Sequence, residues 1–264
     1  MEKNIVDLPD LDQKIYRIFK LETFIKILTN KKLRLVRPKE WDDPFEDIFY
    51  KSNLVNNHGE VISQIYERDR LYGQCWTLRY ESDALWRIYS DKDLLDGIKV
   101  QTTVRKLFSC FYNSLIEYQD KRFFIGRIQY LTIDQIKEKL EDEKYVHNIQ
   151  FDSTNLEGAK TLLIKRKEFD HEEEVRLIYF EHQRHEIGKY PSYYEFNFDP
   201  ADIFEAFELD PRLDADSFEE LRAGLAKYYH GKISRSRLYE NPTITPRINI
   251  GPKSLRELQN SIVK

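Results

Sequence analysis

Cysteine is almost missing from this chain: Cys75 and Cys110 are the only two among 264 residues. Two thiols complete neither a structural zinc site nor a disulfide framework, so a reduced, cytoplasmic protein is the expectation. Glycine is also sparse, at 9 residues, and none falls in a phosphate-cradling spacing. That argues against a P-loop or a Rossmann-type nucleotide site. No apolar run approaches the ~18 residues of a membrane span, and residues 1–10 are polar and acidic. Neither a transmembrane helix nor a signal peptide is expected. Charge of one sign is not in excess: 42 Lys and Arg against 46 Asp and Glu leave a net charge of −4. No global field draws the chain to nucleic acid. Ser/His or Cys/His constellations that mark a nucleophile are missing too.

What the chain has is charge and aromatic rings. Charged residues make up 33% and aromatics 14%, with 17 Tyr and 16 Phe. Such rings favour strands and cleft linings. Strands are predicted at 15–19, 33–36, 71–78, 97–102, 122–131, 193–198 and 203–209. Between them, apolar residues at helical spacing predict helices at 21–30, from Asp83 to about Tyr89, and at 104–118. Thr132 with Gln135 caps a helix over 133–145, and Thr154 with Glu157 caps one ending near Lys167. Asp216 with Glu219 opens a last helix over 218–229, closed by Gly231. Residues 51–70 read as polar, helical or looped. No regular strand–helix–strand spacing, repeat or linker is present. The expected fold is a mixed, largely antiparallel α+β domain with short flanking helices.

The run from Lys165 to Phe180 begins charged and ends apolar. Strand alternation places Glu172, Glu174 and Arg176 on one face and Val175, Leu177 and Tyr179 on the other. Two carboxylates on one strand face can act on one substrate; the same pattern also fits a solvated charged face. Upstream, Asp42, Asp43 and Glu46 surround Pro44. They read as turn and helix-cap residues, with oxygen coordination of a hard cation as the alternative. Arg17 is a lone charge inside an apolar strand, either an edge residue or an anion ligand. Residues 221–247 carry six cations, Arg222, Lys227, Lys232, Arg235, Arg237 and Arg247, against Glu240, a local excess of 6 − 1 = +5. Tyr228, Tyr229, His230 and Tyr239 interleave with them, a pattern suited to single-stranded nucleic acid or to a plain solvated helix and hairpin.

Several of these segments together resemble a widespread bacterial family of uncharacterised proteins. They are Ile15-Tyr16-Arg17, the turn from Arg37-Pro38 to Asp43-Pro44-Phe45-Glu46, Ala84-Leu85-Trp86-x-x-Tyr89, Gly97-Ile98, and Phe169-x-His171-Glu172-x-Glu174-x-Arg176. The likeness spans about 14–180, with 181–264 expected to complete the same single domain. More distantly, the order of polar residues resembles the arginine–serine–glutamate class of mono-ADP-ribosyltransferases. Arg17 stands at the first position, Cys75-Trp76-Thr77 where a Ser-Thr-Ser triplet belongs, and Glu172-x-Glu174 at the last. Cys75 and Trp76 depart from that triplet, leaving Thr77 as its one hydroxyl.

This second resemblance implies a split, two-sheet fold with NAD in the cleft. It implies Glu174 at the ribose and Glu172 at the acceptor. Arg17 would meet the pyrophosphate with Tyr16 beside it, Thr77 would bond the cofactor or Glu174, and Trp86 or Tyr89 would stack on a ring. It also implies a toxin or phage-defence effector that modifies RNA, DNA or protein, with an antitoxin or chaperone as partner. Two other readings stay open: a non-catalytic nucleotide-binding sensor module and a metal-dependent nuclease.

Overall fold

The computed structural model describes residues 1–247 except Asp42, Asn57, 65–68, 113–118, Arg184 and 187–188. Its strands are β1 (Ile5–Val6), β2 (Lys14–Lys20), β3 (Lys32–Val36), β4 (Asn53–Val55), β5 (Val61–Gln64), β6 (Leu71–Thr77) and β7 (Gly97–Thr103). They continue with β8 (Phe123–Arg127), β9 (Gln129–Leu131), β10 (Ile164–Arg166), β11 (Glu174–Phe180), β12 (Tyr193–Asn197), β13 (Ala206–Leu209) and β14 (Lys232–Arg235). The helices are α1 (Leu21–Asn30), α2 (Ile48–Lys51), α3 (Asp83–Tyr89), α4 (Val104–Tyr112) and α5 (Ile133–Glu141). After them come α6 (Glu143–Phe151), α7 (Leu156–Thr161), α8 (Pro200–Ile203) and α9 (Ala215–Leu225). The fold is mixed α+β.

Ten of the described strands form one sheet along the path β1-β8-β11-β6-β2-β7-β13-β14, with β3 joined to β6 and β12 to β3. Most pairings are antiparallel; β1–β8 and β13–β14 are parallel. The sheet is nearly divided in two. β6 pairs with β11 along seven residues on one side. On its other side it meets β2 only at Thr77, opposite Tyr16, and β3 only at Gly73, opposite Val36. α1 connects β2 to β3, and the sheet opens between those two bridges. β12 to β14 extend both halves, which ties the chain beyond residue 181 to the earlier strands.

Alternation in β11 decides where the core sits. Val175, Leu177 and Tyr179 enter the larger apolar cluster, with Phe24 of α1, Phe111 of α4 and Phe207 of β13. Ile178 and Phe180 enter a second cluster on the opposite face, with Phe49, Tyr50 and Leu162. The strand is therefore covered on both faces, which explains its continuous burial.

Several boundaries differ from the sequence expectation. The strand over 122–131 breaks at Ile128, because β9 leaves the main sheet to pair with β10. The helix over 133–145 keeps its Thr132–Gln135 capping box but stops at Glu141, where Asp142 caps α6 instead. Asn155 at φ 63° precedes α7 in place of a Thr154 cap; Asp152 holds that turn through Thr154 and the Glu157 amide. Asp214, not Asp216, caps α9 through Ser217. Within 51–70 the chain forms the β4–β5 hairpin, and 203–209 begins with the end of α8 before β13. The far end of the helix expected over 104–118 lies outside the described residues. No described helix is long and apolar enough to cross a membrane.

Candidate active site

The opening between β2 and β6 holds a cavity of about 390 Å³, within the size range of small-molecule sites. Arg17, Thr77, Tyr89, Glu172 and Glu174 all border it, although they span most of the chain. Its floor is the face of β6 and β11 that alternation keeps away from the larger cluster. On that face Glu174 lies opposite Thr77, and Arg176 opposite Cys75.

A solvated charged face is ruled out here. The side chains of Glu174 and Arg176 are 3% and 0% exposed. The Arg176 guanidinium donates to Glu174 Oε1 from Nε at 2.9 Å and from one terminal nitrogen at 2.7 Å. It also donates to Glu46 Oε2 at 2.8 Å and to the Leu162 carbonyl at 2.6 Å. Trp41 covers it, with the guanidinium carbon 4.2 Å from the ring centroid. Lys165 Nζ makes the second hub, bonding Glu172 at 2.7 Å, Glu46 at 3.1 Å and Glu174 at 3.2 Å. Burial alone drives a carboxyl pKa up, but the charges of Arg176 and Lys165 outweigh it and hold Glu174 below its ordinary value. Burial likewise disfavours charged Lys165, yet Glu174, Glu46 and Glu172 raise its pKa and keep it protonated. The Cys75 thiol is pushed up, first by burial and then by the Glu174 carboxylate.

Glu172 is not on the strand. A 3-10 turn over Lys167–Glu172 ends there, and Glu173 adopts the left-handed region at φ 42° before β11 begins at Glu174. The kink breaks the expected alternation. Glu172 and Glu174 come together through Lys165 instead of sharing a strand face. Thr77 positions this turn: its hydroxyl donates to the Glu172 carbonyl at 2.5 Å and accepts from the Arg79 amide at 3.0 Å. Thr77 thus holds the Glu172 backbone and makes no bond to the Glu174 side chain.

Arg17 lies on the same side of β2 as buried Ile15 and Phe19, where β6 peels away. Its guanidinium donates to the Cys75 carbonyl, in the stretch of β6 between its two bridges. Its Nε is buried without a hydrogen-bond partner. Tyr16 also borders the cavity and packs edge-on against Tyr80. Of the two ring candidates on α3, Tyr89 borders the cavity at 42% exposure. Trp86 does not: helical spacing turns it into the core at 1% exposure, where its Nε1 donates to Glu81.

Sequence reasoning assigned Lys165 and Trp41 no role at the site and Glu46 only a turn or cation-ligand role. Glu46 read as turn chemistry, and Asp43 does cap the Phe45 amide at 3.0 Å. The same turn is also fastened to β10, with Asp43 paired to Arg166 and Glu46 to Lys165. The legible signal was the complementary charge of two short segments, Asp43 with Glu46 and Lys165 with Arg166. Asp42 lies outside the described residues. Among the described residues no three His, Cys, Asp or Glu side chains are grouped to hold a metal ion.

In the basic segment, Arg222 pairs with Glu219, Arg237 with Glu240, and Arg235 donates to the Leu213 carbonyl. Lys227, Tyr228, His230, Lys232 and Arg247 are exposed, while Tyr229 is buried against Phe207.

Residues 85–177 match the model of a family described as a protein of unknown function, DUF2971. That range runs from α3 to the middle of β11 and includes Tyr89, Lys165, Glu172, Glu174 and Arg176. A search of curated proteins finds no sequence match. Among solved structures, the chain is similar to DarT of Thermus sp. 2.9 in complex with carba-NAD+. The two are 11% identical with a TM-score of 0.38, covering 86% of this chain and 97% of that one. It is also similar to the same protein in complex with ADP-ribosylated ssDNA, at 12% identity and a TM-score of 0.39, covering 86% and 95%.

Proposed function

We propose that this chain is an NAD-dependent ADP-ribosyltransferase that works in the opening between β2 and β6. The observation that carries this reading is convergence: Arg17, Glu172 and Glu174, with Thr77 fastening the Glu172 backbone, meet at one cavity of small-molecule size. Arg17 supports a pyrophosphate contact there, because it borders the cavity with a buried Nε that has no hydrogen-bond partner. Tyr89 and Tyr16 offer rings at the cavity wall.

NAD is the substrate. The bond between C1′ of the nicotinamide ribose and the nicotinamide nitrogen breaks, and its electron pair leaves with nicotinamide. A nucleophilic atom of the acceptor bonds to C1′ and gives up its proton. Carboxylates at the wall stabilise the positive charge that develops on the ribose. The acceptor we assign is single-stranded nucleic acid, RNA or DNA, in keeping with exposed Lys227, Tyr228, Lys232 and Arg247. Such an activity fits a toxin or phage-defence effector with a neutralising partner. A non-catalytic nucleotide-binding module is the second reading; the close ion pairing of Glu174 favours it.

The test is purified chain with NAD labelled on the adenylate side, offered cell lysate, RNA and single-stranded DNA separately, with nicotinamide release followed in parallel. Label transferred to nucleic acid, and lost in Arg17→Ala, supports the proposal. NAD binding without release moves the reading to the binding module. Neither binding nor release by folded protein refutes both.

A further inference from the structure

We infer that Glu172, and not Glu174, is the carboxylate that touches the substrate, with Glu174 a positioning residue behind it. This rests on the proposed ADP-ribosyl transfer and reverses the roles that the ADP-ribosyltransferase resemblance implies. Three of the carboxylates that border the cavity surround Lys165, and their coordination differs. An ionised carboxylate has about four lone-pair sites. Glu174 fills both of those on Oε1 with Arg176 and bonds Lys165 through Oε2. Glu46 has one oxygen on Lys165 and the other on Arg176, and its side chain is 6% exposed. Glu172 bonds Lys165 through Oε2 alone, at 2.7 Å. Its Oε1 makes no hydrogen bond among the described residues, and its side chain is 14% exposed, the most open of the three.

Charge points the same way. Glu46, Glu172 and Glu174 face two cations, Lys165 and Arg176, so 3 − 2 leaves one negative charge uncompensated within the cluster. Arg176 contacts Glu46 and Glu174 but not Glu172. Glu172 shares Lys165 with the other two and is the most open of the three, which places part of that uncompensated charge where a positive charge develops on a sugar ring. The backbone beneath that side chain is fixed. Thr77 holds the Glu172 carbonyl, and the Leu78 amide donates to the Glu173 carbonyl at 2.9 Å. Lys165 fixes the other end, so the carboxylate is set in place before substrate arrives.

In the step assigned to it, Glu172 faces the ribose while the C1′–nitrogen bond breaks and nicotinamide leaves with the electron pair. The acceptor's lone pair then forms the new bond to C1′, and its proton passes to Glu172 Oε1. With water as acceptor, the products are ADP-ribose, nicotinamide and that proton.

Glu172→Gln in the full chain tests the assignment, with nicotinamide release, NAD affinity and thermal melting measured on one preparation. The expected result is a loss in release of about 100-fold or more, the size seen when one electrostatic group leaves a transition-state site. NAD affinity should stay within a few-fold and the melting temperature nearly unchanged, since the replaced side chain is partly open. Glu172→Asp should recover part of the rate. Glu174→Gln is the companion: wherever it folds, it should lower the melting temperature and retain more turnover than Glu172→Gln. Folded Glu172→Gln that releases nicotinamide at close to the parent rate overturns this inference and leaves the transferase reading standing. Parent chain that neither binds NAD nor releases nicotinamide overturns the transferase reading itself.

Discussion

Replacing Arg176 by Met should destabilise this protein more than almost any other single change at the site. Its guanidinium is fully buried, and one terminal nitrogen serves Glu174 and Glu46 together. Methionine keeps much of the apolar stem but removes every donor and the cation over Trp41. Glu46, Glu172 and Glu174 would then share Lys165 alone, and the Leu162 carbonyl would lose its 2.6 Å partner. Removing one side of a buried ion pair costs about 3–5 kcal/mol, because the remaining charge stays out of water. At roughly 2–4 °C per kcal/mol for a chain of this size, the melting temperature should fall by about 6–20 °C. Urea denaturation of the parent and variant chains measures the loss directly, with an unchanged slope confirming that the native state is comparable. The double variant with Glu174→Gln should recover about 1–2 kcal/mol of it, since the stranded charge is gone. A loss below ~1 kcal/mol for Arg176→Met would refute the reasoning: it would mean that water reaches the cluster and screens it.

Two further outcomes follow from the same geometry. Glu174 has its folded-state pKa depressed below the ordinary value of 4.5, so its contribution to stability is complete above that value and lost as pH falls through the lower folded value. Denaturation midpoints should therefore drop below about pH 4.5, and Glu174→Gln should flatten that drop; an unchanged acid profile in the variant would contradict the sign. Gly73→Ala should cost about 1–3 kcal/mol, because its Cβ would fall 2.6 Å from Cζ2 of Trp41, the ring that covers Arg176. A melting curve matching that of the parent would show that Trp41 moves freely.

Much of this molecule is readable along the chain because short-range rules govern it. Apolar residues at helical spacing place α1 over Leu21–Asn30, as expected. Alternation assigns Val175, Leu177 and Tyr179 to one side of β11, and the Thr132–Gln135 capping box is present. Each of these depends on residues within about a turn of one another. Arg17, Glu172 and Glu174 were also legible as charges in or beside apolar strands, and Thr77 through the resemblance to ADP-ribosyltransferases.

Their partners were not legible, because pairing is a long-range decision. Glu46 reaches Arg176 across 130 residues, and Thr77 reaches Glu172 across 95. The left-handed Glu173 moves Glu172 off the strand, and no alternation rule anticipates a residue without glycine's freedom adopting that backbone. The sequence alone determined most of the segments that become strands and helices and which charges stand among apolar neighbours. Only the tertiary structure decided that β6 meets β2 and β3 at one residue each, opening a cavity between them, and that Lys165 and Arg176 serve three carboxylates while leaving one oxygen of Glu172 without a partner among the described residues. The reason is physical: local propensity sets the elements, but a buried charge is tolerable only beside an opposite charge, and where that lies is fixed by how distant strands pack.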